Sequence, residues 1–237
     1  MSETPEFIGQ VYTDTNTGNI WKSNSLTPGD WTLDVQDAQF MWDSQSVNLF
    51  ALAELVISGP IPGVTSFTVN MPTQGGGITI SNSPSLQTIS FPITTSVDPT
   101  TNNTGTLKII NNINLTTINL PALTAVGWQL YIDGNQALTS IDLSSFITCD
   151  GGLLINGGSL VNLSLPVWLP SNGSDNYFLG NLLNAASVNG ILARGVANAG
   201  FVSGSIHLDQ GANAAPTGQG IADKATLIGR GVSVTTN

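Results

Sequence analysis

A repeat of near-constant period fills the middle of this chain and limits what it can fold into. Ile78-Thr79-Ile80 opens the first copy, followed by Leu86, Ile89, Phe91 and Pro92. The pattern returns as Leu107, Ile109, Leu115, Ile118, Leu120 and Pro121. It returns again as Leu130, Ile132, Leu138, Ile141 and Leu143, with Ser144 where proline stood. A fourth copy reads Leu153, Ile155, Leu163, Leu165 and Pro166, with Leu160 one place ahead of Val161, where strict register would put it. The copies start at 78, 107, 130 and 153, so the steps are 29, 23 and 23. A fixed period of this length marks a solenoid. One such coil cannot bury its own apolar side, but stacked coils can, with leucine over leucine along the axis.

Each copy opens with an apolar i, i+2 pair, the period of a strand with one buried face. A second such pair follows: Ile89/Phe91, Ile118/Leu120, Ile141/Leu143 and Leu163/Leu165. Proline lacks the donor that a sheet needs, so the second strand stops there. The pattern predicts a parallel α/β solenoid with two short strands per coil of 23 residues. Asn82, Asn111, Gly134 and Gly157 fall four residues after the repeat starts. Asparagine at that place is expected to bond the turn backbone along the stack, and glycine to tolerate the same turn. The longer step predicts a loop around Thr95–Thr106.

The flanks follow from the same pattern. Leu55, Ile57, Val64, Phe67 and Val69 read as a degenerate first coil, so the coils span 55–176. Residues 36–54, with Phe40, Trp42, Leu49, Phe50 and Leu52, read as a cap of weak strand or short helix character. Residues 1–35 read as a hairpin element, with turns at Asp14–Gly18 and Thr27–Asp30 and a third strand from Trp31. Isolated hairpins are marginal. Its aromatics Phe7, Tyr12, Trp21 and Trp31 are therefore candidate attachment residues, covering the solenoid end, another subunit or a larger particle.

Residues 177–237 change character to strand–helix repeats and a closing cap. Tyr177–Leu179 is a strand candidate, followed by a helix from Ser187 to Ala199. That helix carries a stripe of Val188, Ile191, Leu192, Val196 and Ala199, with Ser187 as its cap and Gly200 as its stop. Gly204–Asp209 reads as a strand, Gly220–Ile228 as a helix and Gly231–Thr236 as the last strand.

Charge narrows the function classes. The formal net charge is -10, yet only 8% of residues are charged and only five are Lys or Arg. That argues against nucleic acid as a partner, which requires cations for its phosphates. A single cysteine, Cys149, excludes an internal disulfide. The opening residues carry no basic region and no apolar run, and no segment approaches a membrane span. If the protein works outside a cell, the expected route needs no signal peptide and no membrane insertion, and assembly into a virion in a host cytoplasm is one such route.

Catalytic chemistry is thin. His207 is the only histidine and faces opposite Ile206 and Leu208, as a sheet-face residue does. No zinc-ligand cluster, phosphate-cradling glycine loop or nucleophile elbow is present. Asp133 and Asp142 are the one carboxylate pair sharing a coil that suggests glycoside hydrolysis. Asp98, Asp133 and Asp150 lack the dense Asp/Asn loop of a calcium site. The expectation is a chain that is not an enzyme and uses no cofactor or metal.

Binding is easier to argue. The outward positions of the first strands include Lys108, Ile110, Tyr131, Asp133, Leu154 and Asn156, the candidate binding residues. They mix aromatic, aliphatic and charged groups, as recognition patches do. The same face is also suited to cover by a neighbouring subunit. The second strands present a polar ladder: Thr88, Ser90, Thr117, Asn119, Ser140, Asp142, Asn162 and Ser164. That ladder either binds sugar hydroxyls or meets water.

The copies between 78 and 169 resemble leucine-rich repeats, closest to the variant coils of bacterial surface proteins and receptor L-domains. The fold class that follows is a leucine-rich-repeat-like α/β solenoid with strand–helix units at its C-terminal end. The tail, Ser187 to Leu192 and Asn213 to Gly220 through Asn237, resembles the closing repeats of leucine-rich-like proteins of bacteriophages and prophages. The opening Gly9–Gly18 with Ile20-Trp21 resembles hairpin modules of phage tail and fibre proteins. The resemblance implies a virion structural protein: a tail, fibre or capsid-decoration component in contact with other virion proteins. It also implies recognition of a host-surface glycan or protein. A carbohydrate-binding or adhesive module without an assembly role is the alternative, and a glycan hydrolase a third. Whether copies of the chain associate stays open.

Overall fold

The computed structural model describes residues 11–13, 20–22, 32–35, 38–43, 46–51, 55–59, 64–69, 72–98 and 105–237. Phe7, Trp31, both N-terminal turns and residues 99–104 of the expected loop lie outside the described residues.

The fold is a parallel α/β solenoid. Its first sheet runs through Leu55–Ser58, Ile78–Ser81, Thr106–Ile110, Gln129–Asp133 and Gly152–Ile155, each parallel to the next. Leu107, Leu130 and Leu153 share one rung, and Ile80, Ile109, Ile132 and Ile155 the next inward one. These side chains are fully buried. Each contributes about 1.5–3 kcal/mol of apolar burial, and that burial fixes the register, since a one-residue slip would turn every leucine to solvent.

The second sheet stacks Ser66–Val69, Thr88–Ser90, Thr117–Asn119 and Ser140–Asp142 in parallel. A third, unforeseen sheet adds to the expected pair. It consists of the two-residue strands Thr73–Gln74, Ser96–Val97, Ala125–Val126 and Thr148–Cys149. Gln74, Val97, Val126 and Cys149 point into the core from it. The Leu163/Leu165 pair of the fourth copy forms no strand, although both residues are buried. In that copy Leu160 is buried and Val161 is exposed, as the shifted register predicts.

At the N-terminal end, Ala38–Asp43 and Ser46–Ala51 are strands, paired with each other antiparallel, and the second extends the second sheet. Thr32–Val35 pairs antiparallel with Leu55–Ser58, so the first sheet ends on a reversed strand. Val11–Thr13 and Ile20–Lys22 form the expected hairpin, with Tyr12 opposite Trp21.

The turn after each first strand corrects one expectation. Asn82, Asn111, Gly134 and Gly157 hold φ of 55°, 56°, 66° and 65°. They share a left-handed turn, which asparagine and glycine adopt most readily. The ladder that ties coil to coil lies one residue later. Asn135 Oδ1 accepts the Asn112 N–H at 2.9 Å, and its Nδ2 donates to Ile109 O at 2.8 Å. Asn112 does the same for Ser83 N–H and Ile80 O, and Asn181 for Gly158 N–H and Ile155 O. Gly158 interrupts the row, because it has no side chain to offer.

Beyond Ile155 the first sheet continues through Asp175–Tyr177, Ser205–Leu208 and Ser233–Thr236. The strand expected at Tyr177–Leu179 thus starts two residues earlier. Asn176 takes the inward rung and spends its amide on Ser174 and Ser205, while its oxygen accepts Leu153 N–H. Two helices replace the outer strands: α1 (Ala185–Ala197) and α2 (Gln219–Arg230). Asn184 caps α1 by accepting Ser187 N–H at 2.9 Å. Ser187, expected as the cap, lies inside the first turn, and its hydroxyl accepts Leu163 N–H. The helix ends at Asn198, before the expected Gly200, and leaves Ala199 exposed. Gly195 allows close packing: a Cβ there would meet Ile206 Cδ1 at 3.0 Å and Leu227 Cδ1 at 3.2 Å.

Candidate functional site

The outer face of the first sheet gathers the predicted binding residues into two adjacent rows. Strand alternation puts residues two apart on the same face. Lys108, Tyr131 and Leu154 therefore stand side by side on three successive strands. The row does not stop there. Register carries it on through Tyr177, His207 and Thr235. Ile110 and Asp133 stand opposite each other in the second row. Lys108 is exposed, and Ile110, Tyr131, Asp133, Leu154 and Asn156 are half-buried.

Asn156 is already employed in the scaffold. Its Oδ1 accepts Leu179 N–H at 2.9 Å, one coil along. The Tyr131 phenol is pushed above its usual 10.0, first by burial, then by the charge of Asp133 and by a hydrogen bond to it. Tyr131 and Asp133 thus act as one polar unit at the centre of the face.

At the far end, Tyr177 and His207 stack face to face, with ring centroids 4.6 Å apart and planes 10° from parallel. Thr235 Oγ1 lies 2.9 Å from His207 Nδ1 and donates to Asp209 Oδ1. A threonine hydroxyl has one proton, and a carboxylate only accepts. The Nδ1 of His207 is therefore the donor to the Thr235 hydroxyl. The hydroxyl sits between imidazole and carboxylate rather than beyond the imidazole, so this trio has the wrong order for nucleophilic activation.

Tyr177 and Thr235 escape a reading of the sequence alone. The repeat lengthens after Leu153, and Asn176 hides the apolar rung that would have set the phase. The exposed side of the Ile206-His207-Leu208 alternation was the one available signal.

The other candidates separate. Asp133 and Asp142 lie on strands of two different sheets. Of the attachment residues, Tyr12 and Trp21 are cross-strand neighbours by backbone register, and Phe7 and Trp31 lie outside the described residues. Among the described residues, no group of three or more His, Cys, Asp or Glu is placed to hold a metal ion. No helix among them is long and apolar enough to cross a membrane. No family model, curated protein or solved structure matches the chain.

Proposed function

We propose that this chain is a non-enzymatic structural protein of a bacteriophage virion, a tail, fibre or capsid-decoration component. In this reading, residues 1–35 attach it to other virion proteins and the solenoid displays a surface that recognises the host. The observation that carries the recognition role is the continuous outer row Lys108–Tyr131–Leu154–Tyr177–His207–Thr235. Aromatic and amphipathic side chains on a rigid sheet supply contact area at low entropic cost. The attachment role is supported by the phage-like opening and tail of the sequence, and by a hairpin whose register sets Tyr12 against Trp21.

Removal of residues 1–31, which spares the Thr32–Val35 strand of the first sheet, tests the assembly role. The truncated chain is expected to fold and to be lost from purified particles, and unchanged incorporation would sink the anchoring claim. Tyr131→Ala and Tyr177→Ala test recognition, each expected to reduce adsorption of particles to host cells at least several-fold. The same row also favours an adhesive module with no assembly role. That reading gains if the isolated chain binds host cells and never enters particles.

A further inference from the structure

The point where the second sheet ends opens a groove on another side of the coil. Past Ser140–Asp142, residues 161–165 of the next coil form no strand, and α1 follows one coil later. Together they enclose about 720 Å³, within the roughly 300–1,000 Å³ usual for small-ligand sites. Ser140, Asn162 and Ser164 line it with exposed side chains. Asn184 is committed to the fold: its Nδ2 donates to Asn162 Oδ1 at 2.6 Å, and its Oδ1 caps α1. That leaves the Asn162 amide hydrogens and two serine hydroxyls facing the groove.

Its one charged lining residue is Arg194, and no Asp or Glu lines it. This contrasts with a chain that carries 15 acidic residues against five Lys and Arg. The Arg194 Nε donates to Trp168 O at 2.8 Å, which fixes the guanidinium plane. Among the described residues no carboxylate lies within ion-pair distance of Arg194. A fixed guanidinium with its two terminal nitrogens unspent is the preferred partner of a carboxylate.

We infer that this groove binds an acidic saccharide. The carboxylate of a sugar acid lies on the terminal nitrogens of Arg194, and ring hydroxyls bond Ser140, Asn162 and Ser164. Hydroxyl and amide side chains both donate and accept, which matches the ring hydroxyls of a sugar. The inference needs neither residues 1–35 nor the outer row of the first sheet, so it stands or falls separately from the proposed virion role.

Calorimetric titration of the full chain tests it, with oligogalacturonate and sialyllactose as acidic probes and oligogalactose and lactose as their neutral counterparts. At least one acidic probe is expected to bind, about tenfold or more tighter than its neutral counterpart, the range of a charge-assisted hydrogen bond. Arg194→Gln should erase that preference. Gly190→Leu should abolish binding while the chain stays folded. A Cβ at Gly190 meets nothing within 4 Å, and leucine favours a helix over glycine. No binding by either acidic probe, full binding by Gly190→Leu, or binding of an extended peptide alone would overturn the assignment.

Discussion

Asn111 and Asn135 stand at neighbouring turns and meet different demands. Asn111 satisfies a backbone requirement, a φ of 56° that glycine meets as easily. Asn135 satisfies two main-chain groups in a dry interior, Asn112 N–H and Ile109 O, and is itself fully buried. Asn135→Ala strands both partners and is expected to cost about 2–6 kcal/mol, since each orphaned buried group costs about 1–3. Asn111→Gly is expected to stay within about 1 kcal/mol. Urea unfolding of the two variants checks this, and equal losses would contradict the division of labour. Composition could not separate these roles. An Asn/Gly alternation at one position is the mark of a left-handed turn, whereas the ladder position one residue later admits serine at 83 and glycine at 158.

Elements with room for a periodic pattern were legible, and shorter ones were not. Four copies of an i, i+2 pair disclose the first sheet and three the second, since Leu163/Leu165 forms no strand. A two-residue strand such as Thr148–Cys149 supplies one inward side chain, which has no period to detect. The helices showed through their apolar stripes, although the start of α1 depends on which of Asn184 and Ser187 meets the free N–H groups. The outer row was half legible: Lys108, Tyr131 and Leu154 follow from the 23-residue step, while Tyr177 is displaced by the polar rung at Asn176. The third sheet also carries a chemical reporter. Burial pushes the Cys149 thiol from 9.0 up to about 12. In the unfolded chain the thiol ionises near its ordinary value, so its neutral form favours the fold below pH 9 and that contribution is lost as pH climbs toward 12. Stability is expected to fall across this window, and less steeply in Cys149→Ala, when midpoints are compared at intervals of pH. A thiol reagent at pH 8 should leave the folded chain unmodified and label it in urea.

At the scale of the molecule, the coils interact with their neighbours along one axis, and that makes length a variable. Leu130 to Gly152 is one complete coil: a first-sheet strand, a second-sheet strand and a third-sheet strand in 23 residues. Its upper and lower faces meet equivalent positions, Leu107 on one side and Leu153 on the other. A chain in which 130–152 occurs twice in tandem can therefore stack the second copy on the first in the same register. The duplicated Asn135 would accept the N–H of the original Asn135, extending the ladder by a rung. In a solenoid, each added repeat brings its own stability and one more interface. The lengthened chain is expected to keep its circular-dichroism spectrum and its urea midpoint, and to unfold with a steeper denaturant dependence because more surface is exposed on unfolding. Insertion of 22 residues, omitting the second Gly152, removes the positive-φ residue that leads into the first-sheet strand and puts the junction with Leu153 out of phase. That variant should aggregate or melt early. If the two insertions behaved alike, stacking along a shared axis would not be what holds the molecule together.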